Sequence, residues 1–155
     1  MPNELDRPIN DQIQDHFLDG EKLLITSLHY RIRDSYILYR VIGDTTDWSA
    51  DGTTKVGGDL ELPFDGIIKE IGGFVDTAGT TGTAIVDVNL NGTTLMVTNK
   101  LKWDSTEKST RNFSGTAPGL TTTAVVAGDI ITVDIDTNHT TKSKGLTIRL
   151  AIRRT

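Results

Sequence analysis

Short runs that alternate apolar and polar residues, separated by clusters of Gly, Thr, Asn and Asp, fill the chain from about residue 60 to residue 154. The clearest is Ile131-Thr132-Val133-Asp134-Ile135-Asp136, in which the apolar side chains share one face and the polar ones the other. A period of two marks a half-buried strand, because successive side chains leave opposite faces of the pleat. The pattern recurs near residues 59–63, 66–76, 83–90, 93–101, 108–114, 120–126, 129–137 and 144–153, which predicts about eight strands. Turn signals at roughly ten-residue spacing describe an all-β chain, an antiparallel β-sandwich of jelly-roll-like form around one core. Asn91-Gly92 is the clearest turn: Val86, Val88 and Leu90 alternate before it and Leu95 and Val97 after it. Asn-Gly tolerates the positive φ angles of a tight two-residue hairpin. Looser loops at 77–82 and 137–145 are expected at an end of the sandwich.

The first fifty residues have a different character. Pro8 and Asn10 make a helix start, Ile9, Ile13, Phe17 and Leu18 fall on one face, and Gly20 ends the helix. A helix this short is marginal alone, so its stripe must find a surface in its own domain or in another chain. Burying the stripe would contribute roughly 4–6 kcal/mol, less ordering entropy. As an anchor it predicts that Phe17→Ala weakens assembly and leaves the melting temperature of the sandwich nearly unchanged. Residues 22–33 then read as a strand, with Leu24, Thr26, Leu28, Tyr30 and Ile32 on one parity and His29, Arg31 and Arg33 on the other. A second strand over 36–42 is expected to close at Gly43-Asp44-Thr45-Thr46. Arg31, Arg33 and Arg40 cluster here; the plain reading is two solvated strand faces, the sharper one a docking site for an acidic partner. The turn-rich stretch 46–58, which holds Trp48, reads as a linker or first loop. Residues 1–50 are thus assigned to attachment or oligomerisation, through a short helix and attachment strands, and residues 51–155 to the sandwich.

At 155 residues the chain fits one compact domain with an appendage. It has no cysteine, which excludes disulfides, thiolate metal sites and thiol chemistry and suits synthesis in a reducing cytoplasm. Sixteen basic residues against twenty-one acidic ones give a net charge of −5, the wrong sign for a phosphate-backbone binder, so no nucleic acid is expected as a partner. No apolar run approaches the roughly eighteen residues of a membrane span, and the first twenty residues carry Asp6, Asp11, Asp15 and Asp19. Neither a membrane nor an N-terminal export signal is expected.

Nothing in the sequence assembles a catalytic site. His16, His29 and His139 are far apart, and no serine lies in a Gly-x-Ser-x-Gly turn. No enzyme activity, metal or cofactor is expected. The acids allow one sharper reading. Asp134, Asp136 and Asn138, like Asp87, Asn89 and Asn91, are spaced i, i+2, i+4 and so share a face of their own strand. If those strands were neighbours, oxygens could gather around a calcium ion, which takes about six to eight such ligands. Any solvent-facing strand shows the same alternation, and a glycosidase pair would look no different. Trp48 and Trp103 read as packing residues, unless Trp103 is exposed as a platform for a sugar ring.

The body also resembles a known group. The run Leu62-Pro63-Phe64-Asp65-Gly66-Ile67-Ile68, then Phe74-Val75-Asp76-Thr77-Ala78-Gly79-Thr80-Thr81-Gly82, is followed by Val86-Asp87-Val88-Asn89-Leu90-Asn91-Gly92-Thr93 and a late Ala127-Gly128-Asp129 turn. Together they resemble a β-sandwich module of structural proteins in tailed bacteriophage virions, over about residues 53–154. The resemblance implies a non-enzymatic decoration, head-fibre, collar or tail-associated protein, made in the host cytoplasm and located in the virion. It implies other virion proteins as partners and a homo-oligomer, a trimer by preference. Attachment would run through the N-terminal region, with Ile9, Ile13, Phe17, Leu18, Arg31 and Arg33 as the residues that meet the particle or a second subunit. The alternative is a receptor- or carbohydrate-binding tail-fibre module that holds a host surface glycan in the loops at 77–82, 103–107 and 137–144, with Trp103 as its stacking residue.

Overall fold

The computed structural model describes residues 34–111, 117–121 and 123–155. The described residues form nine strands: β1 (Asp34–Asp47), β2 (Leu60–Glu61), β3 (Gly66–Phe74), β4 (Thr83–Leu90), β5 (Thr93–Thr94), β6 (Leu101–Asp104), β7 (Ala124–Val125), β8 (Ile130–Thr137) and β9 (Lys144–Arg154). One sheet has the order β1-β9-β3-β7 and the other β2-β8-β4-β5, with β6 also paired to β4. The expected antiparallel β-sandwich is therefore the fold. Among the described residues no helix is long and apolar enough to cross a membrane. The helix expected from Pro8 to Gly20 and the strand over 22–33 lie outside the described residues, and so do Ile9, Ile13, Phe17, Leu18, Arg31 and Arg33.

The alternation seen in the sequence becomes the core. Val88 opposes Val133 and Val86 opposes Ile135 across β4 and β8, while Ile71 opposes Leu150 across β3 and β9. Ala84, Val86 and Val88 are fully buried, as are Ile131, Val133 and Ile135 and the β9 series Leu146, Ile148, Leu150 and Ile152. Each large aliphatic side chain so buried contributes about 1.5–3 kcal/mol, far more than any one surface contact. The Asn91-Gly92 turn is as expected, with φ of 48° and 80° and Leu90 opposite Thr93.

Four stretches differ from the sequence reading, each because tertiary hydrogen bonding overrides local preference. Gly43-Asp44-Thr45-Thr46 does not close a strand: β1 continues to Asp47 alongside β9, and Trp48 N–H donates to Ser143 O at 3.0 Å. Residues 36–50, grouped by sequence with the attachment region, thus contribute a sheet strand, and the compact unit runs Ser35–Thr155, apart from Met1–Asp34. The turn-rich stretch after Trp48 is a strap along the edge of β8, where Ile135 N–H donates to Thr53 O at 2.9 Å and Val56 N–H to Val133 O at 2.7 Å. The strand expected over 93–101 stops at Thr94; Leu95 N–H still donates to Val88 O, but Leu95 O accepts from Thr121 N–H and Val97 N–H donates to Gly119 O, and β6 returns to β4 as a separate strand. Of the strand expected over 108–114, the described residues 108–111 hold one bridge, Ser109 opposite Phe74, and residues 112–114 lie outside the described residues.

Candidate interaction surfaces

The two loops that sequence placed at an end of the sandwich, 77–82 and 137–145, do meet, and residues 105–106 join them. Thr77 bridges Lys144 and Thr80 bridges Thr141. Thr140 N–H donates to Thr81 O at 3.0 Å, Thr106 N–H to Gly79 O at 2.9 Å, and Thr81 N–H to Ser105 Oγ at 3.1 Å. Beneath them His139 and Ser143 are buried, with Nδ1 3.3 Å from Oγ. This pair is no nucleophilic site: Ser143 is fully buried and its Oγ accepts the Gly79 N–H at 3.0 Å. A Cβ on Gly79 would lie 2.4 Å from His139 Nδ1, so the loop seats only as glycine.

Trp103 is fully buried and meets Trp48 edge to face, with ring centroids 5.5 Å apart and planes at 88°. Trp48 is anchored by its own Nε1, which donates to Gly145 O at 3.0 Å. Trp103 therefore packs the core and presents no ring face to a sugar.

The two acid-rich strands are neighbours, the condition that the sequence left open. Asp87 opposes Asp134 in the β4/β8 register. The cation between them belongs to the chain: Lys100 Nζ lies 2.7 Å from Asp87 Oδ2 and 2.6 Å from Asp136 Oδ2. Thr94 Oγ1 donates to Asp87 at 2.6 Å, Asn89 Nδ2 to Asp134 at 2.8 Å, and the Lys55 backbone N–H to Asp134 at 2.7 Å. Burial works to lower the pKa of Lys100, but hydrogen bonds and charge from Asp136 and Asp87 outweigh it and the net direction is upward. Asn91 and Asn138 do not join this cluster. Asn91 Nδ2 donates to Asp129, and Asn138 donates to Ser49 O. Asp129 also accepts the Val126 N–H, and these bonds hold its carboxyl below the usual range. Among the described residues no group of three or more His, Asp or Glu side chains is placed to hold a metal ion.

The outer face of β1 is the counterpart. Tyr36, Leu38 and Arg40 share its outward parity, and Tyr36 and Leu38 are 64% and 62% exposed. Arg40 is neutralised within the chain, donating to Thr147 Oγ1 at 2.9 Å and to Asp76 Oδ2 at 2.5 Å and pairing with Asp44. On the inward parity Tyr39 donates to Gly58 O; its pKa is raised, first by burial and then by the charge of Asp59. Among the described residues β9 is the one strand neighbour of β1. Sequence periodicity found β1 but not this outward pair, because an alternating strand does not show which of its faces stays uncovered.

No family model and no curated protein matches the chain.

Proposed function

We propose that the chain is a non-enzymatic structural subunit of a multi-copy particle, in its most specific form a phage virion protein of the head, neck or tail. Its N-terminal region makes the attachment and the sandwich projects from it. The observation that carries this reading is β1: a 14-residue strand that among the described residues pairs with β9 alone, follows directly on the N-terminal residues in sequence and bears exposed Tyr36 and Leu38. Long apolar edge strands are ready-made pairing surfaces, and natural proteins leave them uncovered where another chain will cover them. The resemblance of residues 53–154 to virion modules supplies the particle. Repeated weak contacts at high effective concentration would hold such a subunit firmly, which favours a symmetric oligomer such as a trimer. The carbohydrate-binding alternative draws no support from Trp103, which is buried.

Sedimentation of the full chain, of a chain lacking residues 1–33, and of the full chain carrying Tyr36→Ser and Leu38→Ser tests the proposal. An oligomer that weakens in both variants is expected. A full-length monomer with no affinity for any virion component would sink the reading.

A further inference from the structure

Of the chain's asparagines, Asn91 is the one followed by glycine, and both residues are exposed in the two-residue connection between β4 and β5. An asparagine so placed has a chemistry of its own. The backbone nitrogen of the next residue can attack the side-chain carbonyl carbon, and a glycine nitrogen is the least hindered, because no Cβ stands beside it.

The Asn91 side chain is held from a neighbouring strand. Its Nδ2 donates to Asp129 Oδ1 at 2.8 Å, and its Oδ1 accepts the Ile130 N–H at 2.9 Å. The Asn91 backbone N–H also donates to Ile130 O at 2.8 Å, so residue 91 is bonded to residues 129 and 130 at three points. Asp129 is fixed in turn: its other oxygen accepts the Val126 N–H at 2.8 Å, and these bonds keep its carboxyl ionised at neutral pH. Hydrogen bonds to a charged acceptor are roughly twice as strong as neutral ones. With both ends of the amide engaged its torsions are fixed, and closing a ring onto Gly92 has to break those bonds first.

We propose that Asn91 is a deamidation site and that Asp129 is its latch. In the reaction the Gly92 nitrogen bonds to Asn91 Cγ, the Cγ–Nδ2 bond breaks, and Nδ2 leaves as ammonia with the Gly92 amide proton. Water then opens the cyclic imide at either carbonyl, which leaves aspartate or isoaspartate at position 91. Both products add a negative charge to a chain already at −5, and they set it beside the Asp129 carboxylate in place of the amide donor. Isoaspartate also lengthens the backbone by a methylene, within a turn whose φ angles of 48° and 80° bring Leu90 opposite Thr93. The proposal does not depend on the assembly reading, since Tyr36 and Leu38 take no part in it.

Peptide mapping by mass spectrometry, after timed incubation at mildly alkaline pH, follows the mass gain at residue 91 and separates its aspartate and isoaspartate forms. The samples are the folded chain, the same chain unfolded in urea, Asp129→Ala, and Ile148→Val, a core substitution in β9 of the other sheet that lowers stability and leaves Asp129 in place. The folded chain is expected to react more slowly than the unfolded one. Asp129→Ala is expected to speed the folded reaction about tenfold, the usual size of one lost charge-assisted hydrogen bond, and Ile148→Val to leave it nearly unchanged. Asp129→Asn, which keeps the size of the side chain and removes its charge, is expected to give a smaller acceleration and serves if Asp129→Ala fails to fold. The proposal is overturned if folded and unfolded chains react alike, or if neither Asp129 variant outpaces the parent. It is also overturned if Ile148→Val accelerates the reaction as much as the Asp129 variants do, because the protection would then lie in global stability.

Discussion

On the outer face of the β2-β8-β4-β5 sheet, Asp87, Asp134 and Asp136 each meet a donor from Lys100, Thr94, Asn89 or the Lys55 backbone. On the outer face of the β1-β9-β3-β7 sheet, Tyr36 and Leu38 stand in water and Arg149 keeps a buried N–H without an acceptor. Both faces rest on the same alternating pleat, so the difference lies in how completely each one answers its own chemistry. A face whose polar groups are matched internally gains nothing by meeting a partner, whereas a face with uncovered apolar area and an unanswered donor does. The contrast sets a face whose polar groups are matched within the chain against one that leaves Tyr36 and Leu38 in water.

Substitutions on the two faces should then separate. The largest effect is expected from Asp87→Ala, which leaves the partly buried Lys100 ammonium with Asp136 as its one remaining carboxylate. Breaking a buried pair costs about 3–5 kcal/mol, and solvent screening at Lys100, whose side chain is 33% exposed, brings the expectation to about 2 kcal/mol. For a domain of this size that is roughly 8 °C of melting temperature, measurable by calorimetry.

Lys100→Met should cost less, about 1–2 kcal/mol, by leaving the carboxylates of Asp87, Asp134 and Asp136 close together without a cation. In that variant, as in the parent chain, millimolar calcium is not expected to raise the melting temperature above a sodium chloride control of equal ionic strength, since among the described residues no group of carboxylates is placed to hold a metal ion. Calcium indifference in the variant would mean that the oxygens are not arranged for a metal even when the ammonium is gone.

The pH dependence should carry the same asymmetry. Lys100 and Tyr39 both have pKa values raised above their ordinary 10.5 and 10.0, so their contributions are complete below those values and are lost as pH rises through the higher folded ones. Urea unfolding is therefore expected to show flat stability through neutral pH and a decline above about pH 10, shallower in Lys100→Met. Asp129, held below 3.8, contributes above that value and loses its contribution as pH falls through the folded one. Asn91→Ala should reduce this acid-side loss.

The smallest stability effect is expected from Tyr36→Ser and Leu38→Ser, each within about 0.5 kcal/mol by thermal melting. If either cost as much as Asp87→Ala, the open face would be part of the fold's own stability and the contrast would fail.

The alternation of β8 and the Asn91-Gly92 hairpin were legible in the sequence because one strand face and one turn state their own geometry. The strap over 53–56 was not, since Thr53 and Val56 join the sheet through single bonds to β8 and no local period marks them. The role of Lys100 was not legible either, since it depends on the β4/β8 register that brings Asp87 beside Asp134. The sharing of Glu70 between Arg111 and Arg149 was equally hidden, because the three residues are far apart in the chain. The one local hint was Gly72-Gly73 inside a strand, which signals a close approach without saying what approaches.

Trp48 and Trp103 are the chain's two tryptophans, and they touch each other. Trp48 follows β1 of one sheet and Trp103 lies in β6 of the other, so a single edge-to-face contact joins the two layers. The intrinsic fluorescence of the protein consequently comes from one dry site, and a shift of its emission to longer wavelength would report that the two layers have parted there. That gives an optical readout of sandwich integrity that needs no label.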